Sequence, residues 1–166
     1  MSEITDVTLS STAASIQQEL DEAFDKATDN SSKIQLLQSL YLSLNRFSRE
    51  WKSNIPNPEL LLGNQGCPDG WESCPDGSCV PPGVGCGGGL NFDKDDNLIL
   101  LSKNKNGEVE EIRQTIDEAK SFLSSYLKDA ASAYFAATPE SAKQTTRDLL
   151  DKVRSDFSDA TNLLAQ

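Results

Sequence analysis

The sequence predicts a mainly α-helical single domain over residues 1–166: a four-helix bundle of two helical hairpins, with a long Gly/Pro/Cys-rich crossover loop and a small β-hairpin between them. Three observations carry this expectation. Nine of the ten glycines lie between residues 63 and 89, and six of the seven prolines between residues 56 and 82. All four cysteines fall in the same stretch, from Cys67 to Cys86. Both flanks are almost free of Gly and Pro and repeat apolar residues three and four apart. Gly disfavours helix through backbone entropy and Pro through its missing donor and ring clash, so the chain reads as helix, loop, helix.

Taken in order, residues 8–52 form the first helical hairpin, 53–92 the Cys-rich loop, 93–112 the β-hairpin and 113–166 the second helical hairpin. In the first helix Ala13, Ile16, Leu20, Ala23, Phe24 and Ala27 share a face. Asp29-Asn30-Ser31-Ser32 breaks that pattern and supplies capping oxygens for the next helix. The second helix carries Ile34, Leu37, Leu40, Tyr41, Leu44, Phe47 and Trp51, with Leu36 and Leu42 off the stripe. Such a broad face suits a central place in a bundle or a surface for a partner. Residues 97–103 have strand character, Asn106-Gly107 is a hairpin-turn dipeptide, and residues 108–112 alternate as a return strand does. A helix starting at Glu108 is the competing reading. Ile112, Ile116, Ala119, Leu123, Tyr126, Leu127, Ala130 and Tyr134 then make a helical stripe. Thr138-Pro139-Glu140 reads as the start of a last helix bearing Leu149, Leu150, Val153, Phe157, Ala160, Leu163 and Leu164.

Composition narrows the function. With 26 Asp and Glu against 15 Lys and Arg, the formal charge is −11, which disfavours a nucleic-acid backbone or an anionic membrane surface. The chain has no histidine, which removes Ser-His-Asp and Cys-His nucleophiles and His-ligated zinc. Carboxylate pairs such as Glu110-Glu111 and Asp117-Glu118 fit exposed helix faces better than acid–base chemistry, so no enzyme is expected. No apolar run is long enough to span a membrane, and Met1-Ser2-Glu3-Ile4 lacks the basic start and apolar core of a secretory signal.

The cysteines are spaced by six, four and six residues. Zinc sites bring ligands in tighter pairs, and iron–sulfur spacings are missing as well. Disulfides fit a Gly/Pro-rich segment without a core of its own, and four cysteines allow three pairings. Zinc held by Cys67, Cys74, Cys79 and Cys86, or free thiols, remain the alternatives. Cys-Pro-Asp-Gly occurs at residues 67–70 and again at 74–77, so two tight turns are expected. Asp76-Gly77-Ser78-Cys79-Val80-Pro81 within this spacing resembles the first half of an LDL-receptor class A repeat. The resemblance covers about twenty of the 166 residues. The family's last two cysteines and acidic calcium box have no counterpart, since Gly87-Gly88-Gly89 stands where the box would begin. The resemblance therefore implies no calcium ligands.

Trp51 ends an apolar stripe and is expected in the core, whereas Trp71 either packs over a disulfide or anchors a partner. The expected partner-binding residues are Trp71, Val80, Pro81, Pro82 and Val84, shaped by the cysteines. Asp93, Asp95 and Asp96 are weak cation candidates; neither EF-hand register fits them, and a solvated turn is expected there. The function expected from the sequence is a non-enzymatic structural or protein-interaction module with a disulfide-stapled loop as its binding surface. Its partner is another protein or a second copy, with no cofactor, in an oxidising or extracellular setting. The alternatives are an acidic inhibitor or immunity-type protein that neutralises a basic partner, and a zinc-organised intracellular module.

Overall fold

The computed structural model describes residues 2–63 and 65–164, with side chains in the first helix from Leu9 onward. Met1, Asn64, Ala165 and Gln166, which the expected segments include, lie outside the described residues. The chain is mainly helical with two small sheets. Its long helices are α1 (Ser2–Lys26), α2 (Asn30–Asn54), α4 (Ile116–Ala137) and α5 (Lys143–Leu164). Between α2 and α4 come a short helix α3 (Pro58–Leu61) and four strands, β1 (Glu72–Ser73), β2 (Cys79–Val80), β3 (Leu98–Lys103) and β4 (Val109–Gln114).

Local chemistry sets the helix ends. Asp29 caps α2, its carboxylate accepting the Ser32 N–H at 2.8 Å. That bond holds the Asp29 carboxyl below the usual carboxylate range. Thr115 and Glu118 form a reciprocal capping box that starts α4 and separates it from β4. The hairpin expected over residues 93–112 is present but runs longer, through Gln114, so Ile112 belongs to a strand and not to the α4 stripe. Its turn is one residue longer than an Asn-Gly dipeptide alone specifies. Gly107 N–H donates to the Asn104 carbonyl and Asn104 N–H to the Glu108 carbonyl, giving a three-residue loop with Gly107 left-handed at φ +80°.

Thr138 also takes a different role from the one its sequence context suggests. It ends α4, and a 3-10 turn over Glu140–Ala142 leads into α5. The Thr138 hydroxyl is buried, where it accepts from Trp51 Nε1 at 2.9 Å, lies 2.5 Å from the Tyr134 carbonyl and 2.9 Å from the Thr146 hydroxyl. A hydroxyl so engaged joins α2, α4 and α5 and caps no following helix.

The broad face of α2 is core. Leu37, Leu40, Tyr41, Leu44, Phe47 and Trp51 are buried, and α2 packs on both α4 and α5, while α1 lies chiefly against α5. The pairs α1–α2 and α4–α5, adjacent in sequence, touch less than these pairs do. Leu36 is buried with this face, whereas Leu42 is half exposed.

Replacing Leu40 by Ala removes a fully buried side chain and is expected to cost about 2–5 kcal/mol, read as a lower urea midpoint. Leu42→Ala, at a half-exposed position, is expected to change the stability by about 0.5 kcal/mol or less, read from the same midpoint.

Candidate functional site

The Cys-rich loop lies folded back onto the helices and is cross-linked within itself by two interlaced disulfides. Cys67 pairs with Cys79 and Cys74 with Cys86, each across 12 residues. No cysteine is left as a thiol, whereas a four-cysteine zinc site needs all four as thiolates. The two bridges differ in setting: Cys67 and Cys79 are fully buried, while Cys86 is exposed. By chain entropy, closing a loop of this size contributes about 3 kcal/mol.

The second Cys-Pro-Asp-Gly turn joins β1 to β2, with Glu72 opposite Val80 and Ser73 opposite Cys79. Gly77 N–H donates to the Cys74 carbonyl and Cys74 N–H to the Ser78 carbonyl, with Gly77 at φ +93°. This is the same three-residue loop that joins β3 to β4. Asp76 Oδ1 accepts from the Ser78 hydroxyl at 2.6 Å and the Ser78 N–H at 2.9 Å. The first repeat is also a turn, but in another register, with Trp71 N–H donating to the Pro68 carbonyl.

Cys79 is the loop's anchor. Its N–H donates to Ser48 Oγ at 3.0 Å, and its carbonyl lies 3.2 Å from the Tyr126 hydroxyl, which is also 3.0 Å from Asn45 Oδ1. Ser48 in turn donates to the Asn45 carbonyl at 2.7 Å. Farther along α2, the Gln38 side-chain amide clamps Leu90, donating to its carbonyl at 2.6 Å and accepting its N–H at 2.9 Å. Lys52 Nζ donates to Ser73 Oγ at 3.3 Å. Burial pulls the Lys52 ammonium below its ordinary value, against the opposing pull of Asp76. Burial likewise pushes the phenols of Tyr126 and Tyr134 well above theirs, so both stay protonated.

The expected partner-binding residues need correction. Trp71 is 8% exposed, with its ring 5.0 Å from Tyr126 and 6.5 Å from Tyr134. Val80, Pro81 and Val84 are buried as well, and of the five only Pro82 is exposed. A side chain sealed in the core offers no surface to a partner, so the loop uses these residues to grip the helices. The acidic cluster is also occupied by its own backbone. Asp93 Oδ1 accepts the N–H groups of Asp95 and Asn97, and its Oδ2 accepts from Arg113 Nε at 3.0 Å. Among the described residues no group of three or more acidic or cysteine side chains is placed to hold a metal ion.

What the loop does present is the β3–β4 hairpin. Its Gly83 carbonyl accepts from Leu101 N–H at 2.9 Å, the Asn91 carbonyl accepts from Ile99 N–H at 2.8 Å, and Phe92 bridges Leu98. These contacts cover the free edge of β3. Leu98 and Leu100 enter the core, while every residue from Val109 to Arg113 is exposed. Leu101, Val109 and Ile112 are 50%, 62% and 46% exposed, three of the seven large apolar side chains at the surface of the described residues. The sequence signal was the unbroken Leu98-Ile99-Leu100-Leu101 run, which must put an apolar residue on each side of a strand. Gln38, Asn45 and Ser48, the polar residues that hold the loop, carry no signal in the sequence beyond lying among the apolar residues of α2.

No protein family, curated protein or solved structure matches this chain.

Graded reduction followed by alkylation is expected to label Cys74 and Cys86 before Cys67 and Cys79, because only the former bridge meets solvent, through Cys86; peptide masses report the order. Acid is expected to loosen the loop turn. The Ser78 hydroxyl and N–H, aided by Arg49, hold the folded Asp76 carboxyl below its ordinary 3.8. A depressed folded value means the contribution is fully present above the unfolded value and is lost as pH falls through the folded one. The fall in urea midpoint from pH 6 to pH 3 is therefore expected to be smaller in Asp76→Asn than in the parent (pH values about those that bracket a carboxylate).

Proposed function

We propose that this protein is a non-enzymatic structural or protein-interaction module that works in an oxidising setting without a metal or cofactor. The four long helices act as a bundle-type scaffold, and the disulfide-stapled loop is the clamp that fixes an interaction element to it. That element is the β3–β4 hairpin. One observation carries the reading: Leu101, Val109 and Ile112 stand exposed on a hairpin whose base, Leu98 and Leu100, is locked in the core. Apolar side chains kept in water on a rigid support are what a partner's surface covers. Two disulfides support the oxidising setting, since such bonds persist outside reducing compartments. Among the described residues no helix is long and apolar enough to cross a membrane.

The test compares the parent with Leu101→Ser/Val109→Ser as baits for binding partners, with circular dichroism confirming unchanged helix content. A partner held by the parent and lost by the variant supports the hairpin as the binding element. A partner held equally by both overturns it.

A further inference from the structure

The β3–β4 hairpin has two edges, and they are treated differently. Ile99 and Leu101 turn their N–H groups away from β4, to the Asn91 and Gly83 carbonyls. They therefore occupy non-hydrogen-bonded positions of the ladder, and so do their partners Arg113 and Glu111. Arg113, Glu111 and, by the same alternation, Val109 point their backbone N–H and C=O groups outward from the far side of β4. Among the described residues no strand or loop backbone bonds to that side. An open edge of this kind is a template for another strand.

We propose that the open edge of β4 pairs antiparallel with β4 of a second copy of this chain, about a two-fold axis that places Ile112 opposite its own counterpart. The inference rests on the reading of the protein as an interaction module and names the partner. The choice of occupant and register comes from the side chains. Outward-pointing positions must face one another across the new ladder, which limits the two-fold registers to a few. Centring on Glu111 sets two carboxylates in opposition, and centring on Arg113 sets two guanidinium groups in opposition. Centring on Ile112 places Glu111 against Arg113 of the other copy on both sides of the axis. It also places Glu110 against Gln114, with no like charges facing.

The apolar residues agree with this register. Leu100 lies directly opposite Ile112 in the hairpin, on the face that enters the core. Leu100 is 7% exposed, yet Ile112 beside it is 46% exposed. In the paired sheet Leu100, Ile112 and the same two residues of the second copy form one apolar row, and each Ile112 gains the cover it lacks. Arg113 is already held by Asp93 at 3.0 Å and Glu111 at 2.9 Å, so its guanidinium lies fixed on the outer face of the hairpin. Its five N–H donors leave capacity for one more carboxylate. A two-fold interface of this kind closes on itself and stops at the dimer.

Sedimentation equilibrium of the parent at rising concentration tests the proposal. The average mass is expected to climb from 18.1 kDa towards twice that value. Glu111→Arg and Arg113→Glu each set like charges across the axis, and each is expected to weaken association at least about tenfold. Mixing the two variants restores both opposite-charge contacts, so the mixture is expected to dimerise although neither component does. Ile112→Cys is expected to give a covalent dimer on air oxidation, because directly opposed non-hydrogen-bonded residues lie within disulfide reach. Leu101→Cys, away from the axis, is expected to give none. A parent that stays at monomer mass at every concentration overturns the proposal. So does a dimer that both charge variants leave intact, since its interface would lie elsewhere. If the parent is monomeric yet still retains a different protein through Leu101 and Val109, self-pairing fails and the interaction-module reading stands. Loss of both sinks the two together.

Discussion

Cys79 is held through its sulfur by Cys67, through its N–H by Ser48 and through its carbonyl by Tyr126. That single residue ties the excursion between α2 and α4, residues 55–115, to both of those helices. Each of its polar groups is sealed from water, where an unmet donor or acceptor costs about 1–3 kcal/mol. The bonds thus supply more than attraction: a loop position that broke them would leave the buried N–H and carbonyl of Cys79 unpaired. From this point β1 and β2 pair, Trp71 is drawn between Tyr126 and Tyr134, and the chain is directed along α2 to the clamp of Gln38 on Leu90.

The same constraint shapes the hairpin. Because the loop is pinned, the carbonyls of Gly83 and Asn91 are available to β3 at fixed places, and they satisfy that edge. Among the described residues no equivalent backbone group reaches the outer edge of β4. The Thr115–Glu118 capping box turns the chain sharply into α4 and leaves β4 at the rim of the molecule. One edge closed and one open is a consequence of chain order, since the loop precedes the hairpin and the helix follows it. The charges along β4, Glu110, Glu111 and Arg113, keep this edge from indiscriminate pairing while giving it a preferred register.

Much of this was legible before any coordinates. The α2 start at Asp29, the turn at both Cys-Pro-Asp-Gly sequences and the β-hairpin around Gly107 all follow from chemistry within a few residues. The misplacements share another origin. Thr138-Pro139-Glu140 has the look of a helix start, but the Trp51 indole across the core takes the Thr138 hydroxyl for itself. Ile112 fits a helical stripe by spacing, but pairing with Leu100 gives it to a strand. Trp71, Val80 and Val84 lie in a loop by sequence and in the core by contact, because Cys79 fastens that loop to Ser48 of α2 and Tyr126 of α4.

The amino-acid sequence by itself determined the mainly helical character, the presence of a small β portion, and the tight turns of the Cys-rich segment. Those features depend on periodicity and on backbone preferences of near neighbours, which a linear chain records directly. Only the tertiary structure decided that Cys67 takes Cys79 and Cys74 takes Cys86, that α2 buries most of its broad face, and that, among the described residues, the outer edge of β3 is covered while that of β4 is not. Each of those depends on which distant groups arrive at the same place. Polar residues such as Ser48 and Asn45 acquire their meaning there, because a buried hydroxyl or amide has a role only once its partner is beside it.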